Sequence, residues 1–323
     1  MDRREAITAS NQGPVVSVLT WIIQATVAAA LAIKFTLSSI IPGKRNREDI
    51  PLSLAAAFGV GFTIAISLAV PRGIGRHEAT LSQGDLESLQ KALYASNILF
   101  VLVSASAQAS VLFLFHELTP DRTYKRAIAF LAVFIALFAT AALLVAIFPC
   151  RPPRVWEILA DRGCGVNQVV FWQAFAGVNI AVEMALVLFP VFVVLPLKMK
   201  TGRKAILISC FAARLVVIAS FAVQIYEVQT LKPSTTTPRD RTFPYWRFTL
   251  ATVVVQGLSI ITVCIPYIRN LLLSIESGMI QTGHIRLGSA SAENSHMVSN
   301  ASSNNNEDAA QKMMGRQDRG RGY

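Results

Sequence analysis

Seven apolar runs, residues 15–33, 52–70, 92–115, 127–148, 169–197, 205–225 and 248–273, divide this chain and leave it few folds. About 20 apolar residues, rising 1.5 Å each, cross a hydrocarbon core of roughly 30 Å as a helix, and each run is of that order. Backbone polar groups in lipid are satisfied within a helix or in a closed barrel, and no run shows the ten-residue alternation of a barrel strand. The expected fold is all-α: a polytopic membrane protein built as a seven-transmembrane helix bundle. Composition agrees, with 53% hydrophobic residues, 15% charged residues and a mean hydropathy of +0.48, where soluble domains carry nearer a quarter charged. The first run begins near Val15 without a small-residue cleavage site, so it reads as a retained span.

The formal net charge of +11 comes from short basic clusters between the runs, where lipid headgroups account for them, and no nucleic-acid partner is expected. Loops 34–51, 116–126 and 198–204 hold eleven basic residues in 36 positions, against ten in 63 for loops 71–91, 149–168 and 226–247. By the positive-inside rule the first set is cytosolic. The chain then has a short extracellular N-terminus (1–14), a membrane domain (15–275) and a cytosolic tail (276–323). Past Gly288 the tail is rich in Ser, Asn and Gly and nearly free of large aliphatics, so disorder is expected from about 288. The expected localisation is the plasma membrane, with the lipid bilayer as the first partner.

Cys150 and Cys164 lie in loop 149–168, on the side assigned as oxidising, and a disulfide is the natural reading. Closing that loop restricts the unfolded ensemble by roughly 3 kcal/mol; two free thiols are the alternative. Cys210 and Cys264 fall within apolar runs, as small hydrophobes do. His77, His116, His284 and His296 form no pair at helical spacing, so no metal is expected. No nucleophile, base and acid arrangement stands out, and no enzyme activity is expected.

The fifth run carries an acid, Glu183. An ionisable group near mid-membrane costs of order 2 to 3 kcal/mol on insertion scales, so it faces a protein interior or a wet cavity. Asn179, Glu183 and Pro190 recur at spacings of four and seven, which places them on one helix face. Arg214 is the basic residue of the sixth run and the obvious counter-charge. Counted along continuous helices, however, Glu183 lies about 22 Å from Lys198 and Arg214 about 15 Å from Lys204, and the two side chains lean apart. That geometry favours a bridge through water, a third residue or a bound polar ligand over direct pairing. The third run adds Asn97, Ser104, Ser106, Gln108 and Ser110, and the seventh adds Thr252, Gln256, Ser259 and Thr262. Interhelical glue is one reading; the other is a polar pocket lined by Gln108, Gln256 and Glu183.

Residues 248–273 contain no lysine, so no retinal Schiff base is available there and no cofactor is expected. The order of motifs resembles the fungal rhodopsin-like domain of seven-span membrane proteins, a family that includes G-protein-coupled receptors related to the fungal pathogenicity receptors. The motifs are Gly73, Gly75, Arg76 and His77 after the second run, then Cys150, Trp156 and Cys164 in the loop. Asn179, Glu183, Pro190, the cluster Lys198 to Lys204, Arg214, and Cys264, Pro266 and Arg269 follow. The two glycines would permit a tight turn, with Arg76 and His77 at headgroup level. Glu48 and Asp49 resemble the family's paired acids. Four positions depart from the pattern. The acid of the fifth span is usually aspartate, and Gln108, Glu117 and Gln256 stand where relatives carry lysine, arginine and glutamate. With 14 residues before the first span, the cysteine-rich extracellular domain of some members is expected to be absent.

Architecture and resemblance together imply an orphan seven-transmembrane receptor that senses an external small or apolar molecule and reports to a cytosolic signalling protein. The alternative is a small-molecule transporter or channel using the polar face around Asn179, Glu183 and Arg214.

Overall fold

The computed structural model describes residues 11–40, 49–119, 121–150, 153–158, 164–194, 212–231 and 242–265. Seven helices account for nearly all of them: α1 Gly13–Ile40, α2 Asp49–Ala69, α3 Gln83–Leu118, α4 Arg122–Ile147, α5 Gln168–Val194, α6 Leu215–Gln229 and α7 Tyr245–Ile265. Among the described residues there is no β-strand; an isolated bridge joins Cys150 to Cys164. Six helices are long and apolar enough to cross a membrane, while α6 has 15 residues. Glu48, the cluster Lys198 to Lys204, Pro266, Arg269 and the tail from residue 276 lie outside the described residues.

Local chemistry explains where these helices start. Asn167 Oδ1 accepts the backbone N–H groups of Val169 (3.0 Å) and Val170 (3.4 Å), which caps α5. Asp121 caps α4 through the N–H of Thr123 at 2.9 Å. Pro51 sits in the first turn of α2, where its missing N–H costs nothing. Ser82 caps α3 by accepting the N–H of Asp85 at 3.2 Å, and α3 then runs for 36 residues, about 54 Å. It begins nine residues before the apolar run expected to start at 92. Hydropathy marks the part of a helix that lies in lipid, while the cap and the Glu87–Lys91 pair (2.7 Å) carry the helix beyond it.

One end of the bundle is tied together by its loops. The carbonyl of Gly75 accepts the N–H of Gln12 at 3.2 Å, joining the turn after α2 to the start of α1. Gly73 (φ +120°) and Gly75 (φ +73°) turn the chain there. His77 stacks on Phe243, with ring centroids 4.4 Å apart, so the same loop reaches the start of α7. The Tyr94 hydroxyl donates to the carbonyl of Ile147 (2.8 Å), a group left open at the end of α4. A disulfide joins Cys150 to Cys164.

Below this end, Trp172 of α5 packs against Phe100 of α3 (5.9 Å) and Phe248 of α7 (5.8 Å), joining three helices in one aromatic cluster. A second apolar cluster, with Val103, Val111, Leu186 and Val263, fills the opposite half. α3 and α7 are the most buried helices, and α4 the least. Phe130 on α4 is 78% exposed, as a lipid-facing side chain is expected to be.

Candidate functional site

Where α3, α5 and α6 meet, the structure assembles four polar side chains. Gln108 Nε2 donates to Asn179 Oδ1 at 2.9 Å and to Glu183 Oε1 at 3.3 Å. Asn179 Nδ2 in turn donates to the carbonyl of Phe175 at 2.8 Å, one turn back along α5. Arg214 Nη1 donates to Glu183 Oε2, closing an ion pair. Glu183 and Arg214 are each 1% exposed. Arg214 Nη2 is buried without a partner.

The direct pair overturns the expectation of a bridged one. That expectation counted helical rise from Lys204 through Arg214 without interruption. In the structure α6 starts at Leu215, Ala213 and Arg214 form a turn, and Arg214 is the N-cap (φ −68°, ψ −17°). Its carbonyl accepts the first bonds of α6, from Val217 (3.0 Å) and Ile218 (3.2 Å). The side-chain lean of a helix interior does not hold at such a position. Electrostatics favours the arrangement. A guanidinium at a helix N-terminus opposes the helix dipole, and Arg214 makes no side-chain cap. The Glu183 carboxylate offsets both positive charges at once.

Of the remaining candidates, Gln256 is buried but lies elsewhere. A Cβ built on Gly59 of α2 would come within 2.8 Å of its Nε2, so Gln256 fills the close approach of α2 and α7. Thr252, Ser259 and Thr262 bond carbonyls one turn back on α7 at 2.7–2.8 Å, which is ordinary helix satisfaction. Thr252 also accepts from Gln224 of α6 at 2.8 Å, an interhelical bond of the glue type. Gly73, Gly75, Arg76 and His77 form the turn at the disulfide end rather than part of the polar cluster.

A second ion pair escaped the sequence reading. By hydropathy Lys34 stands at the start of loop 34–51, after the first span. It falls inside α1, is 1% exposed, and pairs with Asp49 in the first turn of α2. It lies 21 residues from Gly13, roughly 31 Å along the helix, near the end opposite the disulfide. A lysine closing an apolar run, followed by acids at the next helix start, was the available signal.

Six apolar helices long enough to span, packed around buried charge that is paired within the bundle, define a multi-pass integral membrane protein. Its family is equally definite. The model of the fungal rhodopsin domain matches residues 33–274, about three quarters of the 323-residue chain, and the chain belongs to that family. A search of curated proteins finds no match.

Proposed function

We propose that this protein is a seven-helix receptor of the plasma membrane that senses an external small or apolar molecule, with its N-terminus outside and its tail in the cytosol. The observation that carries the reading is the dry Glu183–Arg214 pair at the broken start of α6. A receptor needs two bundle arrangements that a ligand binds unequally. This pair locks α5 to α6 in one of them, at a turn (Ala213 and Arg214) and seven residues before Pro190, which interrupts the hydrogen-bond ladder of α5. A molecule that favours another placing of α5 must re-partner the guanidinium. Loops 34–51, 116–126 and 198–204 and the tail are the reporting face. Their basic density still exceeds that of the other loops once Lys34 is counted with the helix. The proposal involves no catalytic step and no cofactor.

The test places a photo-crosslinking residue at Thr123, in the first turn of α4, in the full chain in native membranes. The expected result is capture of a signalling protein that is released by a non-hydrolysable guanine nucleotide. Failure of capture in the wild type and in Glu183→Gln alike would sink the reading. Substrate flux in proteoliposomes that is abolished by Glu183→Gln would establish the transporter alternative in its place. Orientation has its own check: Asn300, Ala301 and Ser302 form a glycosylation sequon in the tail, and a glycosidase-sensitive mass there would reverse it.

A further inference from the structure

Between α6 and α7 a cavity of about 540 Å³ runs along the outside of the bundle, and its two ends differ in chemistry. Its body is apolar, walled by Val223, Val254 and Leu258. Its mouth holds Glu227, Trp246 and Arg247. Glu227 lies in the last turns of α6, and its Oε2 is buried with no hydrogen-bond partner. Arg247 lies in the first turn of α7 with its guanidinium 5.5 Å over the Trp246 ring. Among the described residues no ion pair joins Glu227 to Arg247. From Arg247 to Leu258 the groove follows eleven residues of helix, about 17 Å, or half of a hydrocarbon core of roughly 30 Å. Because the spanning stretch of α7 starts at Tyr245, a bilayer centred on that helix puts the mouth near headgroup level and the far end of the groove near the midplane. Trp246 at the mouth matches the usual interfacial place of tryptophan.

We infer that this groove holds one ethanolamine phospholipid of the leaflet at the disulfide end, its ammonium on Glu227, its phosphate on Arg247 and one acyl chain along α7. The charges are arranged for a zwitterion. Glu227 adds a carboxylate to the carbonyl-rich C-terminus of α6, where a cation is favoured. Arg247 adds a guanidinium to the N–H-rich start of α7, where a phosphate is favoured. Choline matches the charge but not the chemistry, because a quaternary ammonium has no N–H to give to a carboxylate. An anionic lipid such as phosphatidylglycerol would set its phosphate on Arg247 but bring no cation to Glu227, whose charge would stay unanswered. The inference is independent of the receptor reading, since any membrane protein with this groove would select the same lipid.

Native mass spectrometry of the full chain released from nanodiscs of equimolar phosphatidylethanolamine and phosphatidylcholine, with matched acyl chains, tests it. The wild type should retain one ethanolamine lipid in preference to choline lipid by about tenfold, the weight of one charge-assisted hydrogen bond. Glu227→Gln should abolish that preference, and Arg247→Gln should weaken retention of both lipids together. Equal retention by the wild type overturns the inference without recourse to any variant. So does an unchanged preference in Glu227→Gln, or stronger retention of phosphatidylglycerol added as competitor.

Discussion

Glu183→Gln keeps the shape of the side chain and removes the carboxylate that faces Arg214. In the structure that carboxylate accepts from Arg214 Nη1 and from Gln108 Nε2, and both charged groups are 1% exposed. Arg214 Nη2 already lacks a partner. The substitution therefore leaves a buried cation with no counter-charge at its side. Removing one member of a buried pair costs about 3–5 kcal/mol, and the new amide oxygen returns about 1 kcal/mol as a neutral acceptor. A loss near 3 kcal/mol is expected. Arg214→Gln should cost less, about 2 kcal/mol, because the carboxylate keeps the Gln108 bond and the new amide is able to donate to it. The double variant should lose well under the sum of the two, with a coupling of at least about 1.5 kcal/mol. Reversible unfolding of the four proteins in mixed micelles measures the cycle. Additivity within about 0.5 kcal/mol would refute the pair, and a larger loss in Arg214→Gln than in Glu183→Gln would refute the charge argument.

Three further outcomes follow from packing and backbone. Replacing Cys150 and Cys164 by serine should lower stability by about 3 kcal/mol, and dithiothreitol should bring the wild type to the same unfolding midpoint. Gly73→Ala forces a φ of +120° on an L-residue and sets its Cβ 2.4 Å from Leu81 Cδ2, so a loss of about 1–3 kcal/mol is expected; Gly84→Ala, with nothing within 4 Å, is the control that should stay within about 0.5 kcal/mol of the wild type. At Gly257 an added Cβ would lie 2.2 Å from Cγ2 of Ile23, a β-branched side chain with little rotamer freedom. Gly257→Ala should part α1 from α7 at about 1–3 kcal/mol, while Gly177→Ala, which meets nothing within 4 Å, should cost nothing in the same unfolding measurement.

What was legible in the sequence follows from which physical rule each feature obeys. Lipid penalises an open backbone so heavily that seven apolar runs read as seven helices. Their ends obey other rules. Ser82 with Asp85 three residues on is a capping signal that starts α3 well before its apolar stretch, and hydropathy is blind to it. The break before α6 had no local signal. Ala212 and Ala213 are strong helix formers with neither Gly nor Pro beside them, so propensity argues for a continuous helix there and tertiary contact overrides it. What outweighs propensity is the pairing itself: Arg214 leaves the regular helix to reach Glu183.

Two positions that depart from the family pattern, Gln108 and Gln256, take different places in the structure. Glu183 is neutralised by Arg214 on one oxygen, so the third helix needs only a neutral donor for the other. Gln108 supplies it while also bonding Asn179. A lysine at position 108 would set two cations against one acid in a dry site, an imbalance that costs several kcal/mol. At position 256 a glutamate would bring a carboxylate against Gly59 on α2, away from Arg214. Neutral side chains at 108 and 256 thus go together with a buried pair, Glu183 with Arg214, and with Lys34 closed by the half-buried Asp49, each of which carries no net charge.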